Sequence, residues 1–310
     1  MTRPRVLVAA LAVAAVVVPG VEARAVFPGR PDVLAFSSQG NIFTIAPDGS
    51  PPLRQLTFDG ASHHPRWSPT GDRIAFDRGG DIYVMSSSGT DVRRLTTFGR
   101  SSEPAWAPGG KRLVFVHRKD ALAPGDLWTV PLSGGGPSRL TYQGTRSCEL
   151  GHPSWSPLGG RIAYQWQRRT DDGGCTPTRV VVMRIDPRER RVIGSASAPD
   201  FTADGKGIFF ASRLDPVDGS FWPSEQLSWS NLFGGQRERL TSLFCAEGDP
   251  CFVDGVGAPD SVFPAMASNA VLFSRLGGSL CIVTTSAGGF CNTAIPVVPS
   301  DLDWRSIPEA

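Results

Sequence analysis

Nine residues separate Trp67 from Phe76, Trp106 from Phe115, Trp155 from Tyr164 and Phe201 from Phe210. This recurring interval limits the possible folds of the chain more than any other feature. The aromatics belong to a longer unit, read once as Pro65-Arg66-Trp67-Ser68-Pro69, Ile74-Ala75-Phe76, Asp81-Ile82-Tyr83-Val84-Met85 and Leu95-Thr96. The next copy reads Pro104-Ala105-Trp106-Ala107-Pro108, Leu113-Val114-Phe115, Asp126-Leu127-Trp128-Thr129-Val130 and Leu140-Thr141. A third begins at Pro153-Ser154-Trp155, a fourth at Pro199-Asp200-Phe201 and a degraded fifth at Pro264-Ala265-Met266. Self-similarity on this scale marks stacked supersecondary units.

Each unit holds four short β-prone segments separated by Gly, Pro, Asp or Ser turns, the pattern of a propeller blade. A single blade cannot bury both faces, so Trp67, Phe76 and their equivalents belong between neighbouring sheets as core. The 35 glycines and 27 prolines among 310 residues agree with many short strands rather than long helices. The chain ends supply the remaining blade. Residues 33–57 carry only the later segments, and Leu302-Asp303-Trp304 supplies an orphan first strand. The expectation is an all-β, six-bladed β-propeller of four-stranded antiparallel blades over residues 26–310, a single domain. Its ring would be closed by the C-terminal strand joining the N-terminal blade, which removes exposed sheet edges.

Residues 1–25 read as a signal peptide: Arg3 and Arg5 precede an apolar run from Val6 to Val18, and Ala23-Arg24-Ala25 fits a small-x-small cleavage site. Cleavage before Val26 leaves 28 basic and 28 acidic residues. Nucleic acid is therefore not an expected partner, since no basic excess or cluster remains. No later segment is apolar enough to span a bilayer, so no membrane span is expected after cleavage. The expected location is an exported one, periplasmic, cell-wall associated or extracellular, and the expected state is a monomer.

The P-x-W-S-P-x-G, I-A-F, D-I-Y-V-M and R-L-T elements, at Pro65 to Gly71, Ile74 to Phe76, Asp81 to Met85 and Arg94 to Thr96, resemble the WD-like repeats of TolB-like propellers. The resemblance covers nearly all of residues 31–305 and implies the six-bladed fold. It leaves function open, because such repeats also occur in propellers attached to peptidases and in enzymes acting on sugars. TolB carries an N-terminal α/β domain as well, whereas the blades here begin within a few residues of the expected cleavage site. Contacts made through that domain are not expected.

With strands A to D running outward from the channel, the D–A and B–C loops share one face. All the insertions, residues 116–125, 165–178, 211–225 and 242–263, fall on it, and clustered insertions mark a binding face. The 6 cysteines fit three structural disulfides, Cys148 with Cys175 and Cys245 with Cys251 on the looped face, and Cys281 with Cys291 across adjacent strands.

The residue just before each strand A rings the channel mouth. Around the ring these read Asp301, His64, Glu103, His152, Ala198 and Phe263. Asp301, His64, Glu103 and His152 are the candidate ligand-binding set, able to hold an ionic ligand or a divalent metal. No cofactor is expected, with a divalent metal as the alternative. Trp166, Phe221 and Trp222 in the long B–C loops are candidate contacts for a protein or a sugar. No G-x-S-x-G, H-E-x-x-H or Gly-rich phosphate loop is found, and no catalytic residue is assigned. The favoured function is an exported binding and interaction scaffold for a protein or cell-envelope ligand on the looped face. The alternative is a hydrolase or lyase acting on a small or saccharide substrate at the channel mouth, with or without a metal.

Overall fold

The turns named above divide the chain as the repeat requires. In the Ser68-Pro69-Thr70-Gly71 turn, Gly71 adopts φ 70° and donates its N–H to the Ser68 carbonyl at 2.9 Å. Gly110 repeats both features after Ala107, at φ 62° and 2.9 Å. A side chain would be strained at such positive φ, which is why glycine recurs there. In the computed structural model the described residues are 30–46, 52–121, 123–143, 146–186, 188–202, 204–213, 225–235, 237–239, 261–267, 270–275, 279–284, 288–292 and 300–307. Side chains are described for 33–46, 52–121, 123–143, 146–186, 188–202, 204–211 and 228–235.

The first strands are β1 (Arg30–Ser38), β2 (Asn41–Ile45) and β3 (Arg54–Gln55). They are followed by β4 (Ser62–Trp67), β5 (Arg73–Arg78), β6 (Asp81–Ser86) and β7 (Arg93–Arg94), which form one antiparallel sheet in that order. A second such sheet holds β8 (Ser101–Trp106), β9 (Arg112–His117), β10 (Asp126–Pro131) and β11 (Ser138–Arg139). The next comprises β12 (Ser147–Trp155), β13 (Arg161–Arg168), β14 (Arg179–Arg184) and β15 (Arg190–Ser195). Then come β16 (Ser197–Phe201), β17 (Gly207–Arg213), β18 (Glu225–Asn231) and β19 (Arg237–Arg239). The last internal sheet is β20 (Ser261–Ala267), β21 (Ala270–Arg275), β22 (Ser279–Thr284) and β23 (Gly288–Asn292). Finally β24 (Ser300–Ile307) pairs antiparallel with β1, with Leu34 opposite Trp304, so that the first sheet has the order β24-β1-β2-β3. These sheets are blades of a β-propeller.

The core lies between blades, and the Ile-Ala-Phe triplet explains how it is built. Side chains alternate across a strand. Ile74 and Phe76 therefore face the preceding blade and pack with Ala35, Ile42, Trp67 and Met85. Ala75 faces the following blade, in a cluster with Trp106, Leu113 and Phe115. A small residue on one side thus accommodates the large ring arriving from the next sheet. Ala163 stands in the same relation to Phe201, Ile208 and Phe210. A hydrogen bond of 2.8 Å from the Trp106 indole Nε1 to the Arg66 carbonyl also crosses the gap.

The outer strands are held by a repeated polar clasp. Asp81 accepts from Thr96 Oγ1 at 2.9 Å and from Arg94, while Thr96 Oγ1 accepts the Ile82 N–H at 2.9 Å. Asp126, Thr141, Arg139 and Leu127 repeat this arrangement in the next blade. The aspartate that opens strand C and the Arg-x-Thr of strand D therefore act as one unit.

The Cys148–Cys175 disulfide is formed, with a Cα separation of 6.0 Å. The register of β22 and β23 sets Cys281 directly opposite Cys291. Residues 1–25, Phe221, Trp222, Cys245 and Cys251 lie outside the described residues. Among the described residues no helix is long and apolar enough to cross a membrane.

Candidate functional site

The residue ahead of each strand-A proline occupies a β-bulge. In β4 the pairing passes from His63↔Asp77 to Arg66↔Ala75, so three steps on one strand meet two on the other. The same slip occurs between Ser102 and Ala105, between Gly151 and Ser154, and between Ser197 and Asp200. The residues at the slips adopt left-handed backbone: His64 at φ 49°, Glu103 at 55°, His152 at 48° and Ala198 at 45°. For a residue with a Cβ this conformation costs on the order of 1–2 kcal/mol. Bulges re-aim side chains and collect beside functional sites. Asp301 falls in the corresponding slip of β24, between Ser300 and Asp303, and its side chain is outside the described set.

At three of the bulges the backbone N–H at the blade boundary is accepted by the preceding blade. Asp77 Oδ1 accepts the Glu103 N–H at 3.1 Å. The Glu103 carboxylate accepts the His152 N–H, and Gln165 Oε1 accepts the Ala198 N–H at 3.2 Å. His64 Nδ1 is 2.7 Å from the same Asp77 Oδ1. Gln165 is fixed in turn by its Nε2 bond to Glu149 at 2.8 Å. Gly151 leaves the space for this chain of contacts, because a Cβ there would sit 3.1 Å from Glu103 Oε2.

His64, Glu103 and His152 are thereby brought into one electrostatic neighbourhood. Burial by itself would push the Glu103 carboxyl up. Electrostatic interaction with His152 and His64, the His152 N–H and Arg118 together hold it below the ordinary glutamate value. The Asp77 and Gln165 acceptors are not evident from the sequence, although each directly follows the second aromatic of its repeat, Phe76 or Tyr164.

A second polar layer lies two residues further along strand A. Ser154 Oγ donates to Asp200 across the boundary between β12 and β16, and the Phe201 N–H donates to the same oxygen at 2.9 Å. Burial pushes the Asp200 carboxyl up to about 6, against the opposing pull of Ser154, Arg66 and the Phe201 N–H. Its sequence signal is the variable position of Pro-x-Trp, occupied by Arg66, Ala105, Ser154 and Asp200 in successive repeats.

Elsewhere on the looped face, Trp166 is half-buried, packs on the cluster around Tyr164 and donates its Nε1 to Ser147 Oγ at 2.6 Å. His117 is enclosed by Phe98 and Trp128, with ring centroids at 4.2 and 5.4 Å, and burial lowers its pKa. Among the described residues no group of three or more His, Cys, Asp or Glu side chains is arranged to hold a metal ion. His64 Nδ1 and one Glu103 carboxylate oxygen are engaged within the fold. On the opposite face a cavity of about 310 Å³, lined by Val33, Ile45, Arg54 and Trp67, holds no acid–base pair.

TolB from Acinetobacter baumannii superposes with a TM-score of 0.68 at 16% identity, over 91% of this chain and 68% of that one. A chain of the nidogen/laminin complex gives 0.63 at 11% identity, covering 89% and 99% respectively. Oligogalacturonate lyase in complex with manganese gives 0.52 at 13%, covering 82% and 70%. Likeness at such low identity speaks for the fold alone. No curated protein sequence matches the chain. The model of the TolB beta propeller domain matches residues 53–217, more than half of the chain, which belongs to that family.

Proposed function

We propose that this protein is an exported six-bladed propeller, closed by β24, that serves as a binding scaffold for a protein or cell-envelope ligand on its looped face. The Cys148–Cys175 bridge carries this reading. It ties the start of β12 to the hairpin that follows β13, where Arg169 bridges Cys175 and the Arg169 N–H donates to the Arg146 carbonyl at 2.8 Å. Loops fixed before binding lose less freedom on association, so the bridge favours a preformed recognition surface. The same bond supports export, because structural disulfides belong to oxidising compartments. The signal-like residues 1–25 agree with it.

The bulge groups suit recognition. His64 and Glu103 are each oriented by a hydrogen bond within the scaffold, which presents polar atoms in a fixed arrangement. The test is chemical cross-linking of the chain beginning at Val26 to envelope extract, with the linked residues identified by mass spectrometry. Cross-links concentrated in residues 97–103, 117–125, 142–152 and 165–178, weakened by replacing both Cys148 and Cys175 with serine, are expected. Cross-links confined to the short-turn face around Arg73, Arg112 and Arg161 would overturn the assignment.

A further inference from the structure

We propose that the looped face carries a strip for a linear acidic polysaccharide, built from two equivalent stations on adjacent blades. One comprises Phe98, Arg100 and Arg118, and the other Tyr142, Arg146 and Arg169. The proposal rests on the reading of this face as the binding face and adds the chemistry of what it holds.

The stations are defined by backbone pairing. Just beyond the last registered pair of β8 and β9, Ser101↔His117, the Arg118 N–H donates to the Arg100 carbonyl at 3.0 Å. Just beyond Ser147↔Arg168 in β12 and β13, the Arg169 N–H donates to the Arg146 carbonyl at 2.8 Å. Two adjacent blades thus set arginine against arginine at the same point of the repeat. In the preceding blade that point is occupied by Ala61 and Gly79, whose N–H to O distance is 3.4 Å. The blade fold therefore has no need of arginine there.

Like charges placed opposite one another destabilise a sheet. None of the close ion pairs among the described residues includes these four guanidinium groups: the pairs join His64 to Asp77, Arg73 to Asp72, Arg78 to Asp59, Arg94 to Asp81, Arg139 to Asp126 and Arg184 to Glu189. Arg118 acts on the Glu103 carboxylate only at longer range. The nearby carboxylates serve turns instead. Asp120 accepts the Ala123 N–H at 2.7 Å, and Asp172 accepts from Thr170 and from the Gly174 N–H. Arg100, Arg146 and Arg169 are exposed, and Arg118 is half-buried. Arg118 Nη1 and Arg169 Nη1 each reach a neutral acceptor at 3.4 Å, Ser102 Oγ and the Gly173 carbonyl. Those contacts orient the guanidinium groups and leave donors for a ligand.

An exposed ring accompanies each pair. Phe98 is 39% exposed in the loop that leads into β8, and Tyr142 is 65% exposed in the loop that leads towards β12. Arg139 lies over one face of Tyr142 at 4.6 Å. A cation fork beside an aromatic surface fits a unit that carries a carboxylate and an apolar face together. Two such stations in tandem fit a ligand whose units repeat, as the uronates of a polysaccharide do.

The test uses the chain beginning at Val26 and an alginate hexasaccharide, with a neutral dextran hexasaccharide, poly-L-glutamate and phosphatidylglycerol vesicles as comparators. Calorimetry should detect alginate binding that weakens with added salt and no dextran binding. Arg100→Gln with Arg118→Gln, or Arg146→Gln with Arg169→Gln, should each weaken it at least about tenfold, the scale of two lost charge-assisted bonds. The Tm of the Arg146→Gln with Arg169→Gln variant should stay level or rise, since repulsion is relieved, whereas Arg118→Gln also removes a positive charge that acts on Glu103 and gives up part of that gain. Equal alginate affinity in the parent and both variants, or no alginate binding by the parent, overturns the proposal. Preference for poly-L-glutamate or for vesicles overturns it in favour of an acidic protein or a membrane surface. If the fourfold arginine variant still forms the looped-face cross-links while the parent ignores alginate, the acidic-glycan assignment fails and the scaffold reading stands.

Discussion

The carboxylate of Glu103 accepts the backbone N–H of His152, a residue of the next blade. The most pronounced candidate ligand group at the channel mouth is therefore also a structural staple. In the preceding blade Asp77 has the same role, accepting the Glu103 N–H at 3.1 Å. Function and stability are coupled at these positions, and substitutions there have to be read on both scales.

Replacing Glu103 with alanine leaves the His152 N–H without its acceptor, at a cost of about 1–3 kcal/mol. Glu103→Gln keeps an acceptor and removes only the charge, so it should cost less. The carboxyl is held below its ordinary value in the folded chain. It therefore contributes stability above its unfolded pKa, and that contribution is lost as pH falls through the folded value. Urea unfolding of the parent and of Glu103→Gln between pH 7 and pH 3 checks both statements. Identical acid dependence in the two proteins would refute them.

The blade architecture is legible because it is written locally. The Trp-to-Phe interval of nine residues fixes which side chains enter each gap, and the alanine of Ile-Ala-Phe marks where the next ring is received. The Cys148–Cys175 bond and the positions ahead of the strand-A prolines could likewise be placed from the repeat, though not the left-handed bulge that those positions form. The acceptors of the bulge N–H groups could not. Asp77 and Glu103 are 26 residues apart, Gln165 and Ala198 are 33 apart, and both pairs meet only because whole sheets stack. The contact of Ser154 with Asp200, 46 residues apart, is hidden for the same reason.

The polar clasp of the outer strands should be sensitive to a change of a few atoms. Thr141 Oγ1 donates to Asp126 at 2.8 Å and accepts the Leu127 N–H at 2.9 Å, both in buried surroundings. Thr141→Val keeps the shape and strands both partners, so a loss of about 1–3 kcal/mol is expected. Thr141→Ser retains the hydroxyl and should recover most of it. Thermal denaturation of the two variants decides the matter, and equal Tm values would show that the hydroxyl contributes nothing.

Asp200 predicts a pH response opposite in sign to that of Glu103. Its folded pKa of about 6 stands above the ordinary aspartate value of 3.8. Between those values the folded state binds more protons than the unfolded one, so this group makes stability fall as pH rises from about 4 to 6. At pH 7 the buried carboxylate is a net liability, held by Ser154 and the Phe201 N–H. Asp200→Asn preserves an acceptor for both and removes the charge. It should raise the urea midpoint at pH 7 and leave it nearly unchanged at pH 4. A variant less stable than the parent at pH 7 would mean that the charge of Arg66 outweighs burial.

The disulfide should matter more to the looped face than to the blades. Cys148 and Cys175 enclose a separation of 27 residues, for which loop-closure arguments give about 3–4 kcal/mol in the unfolded chain. The closed loop includes β13, whose ladders with β12 and β14 hold without the bond. Its outer segment, where Thr170 and Gly174 are joined by a 2.9 Å hydrogen bond and Arg169 bridges Cys175, has only short-range support. Replacing both cysteines with serine should therefore lower global stability and, separately, speed amide exchange at 169–176 well beyond that of β13. Hydrogen exchange followed by mass spectrometry resolves the two segments. Uniform acceleration across β12, β13 and the hairpin would show instead that the bond supports the blade itself.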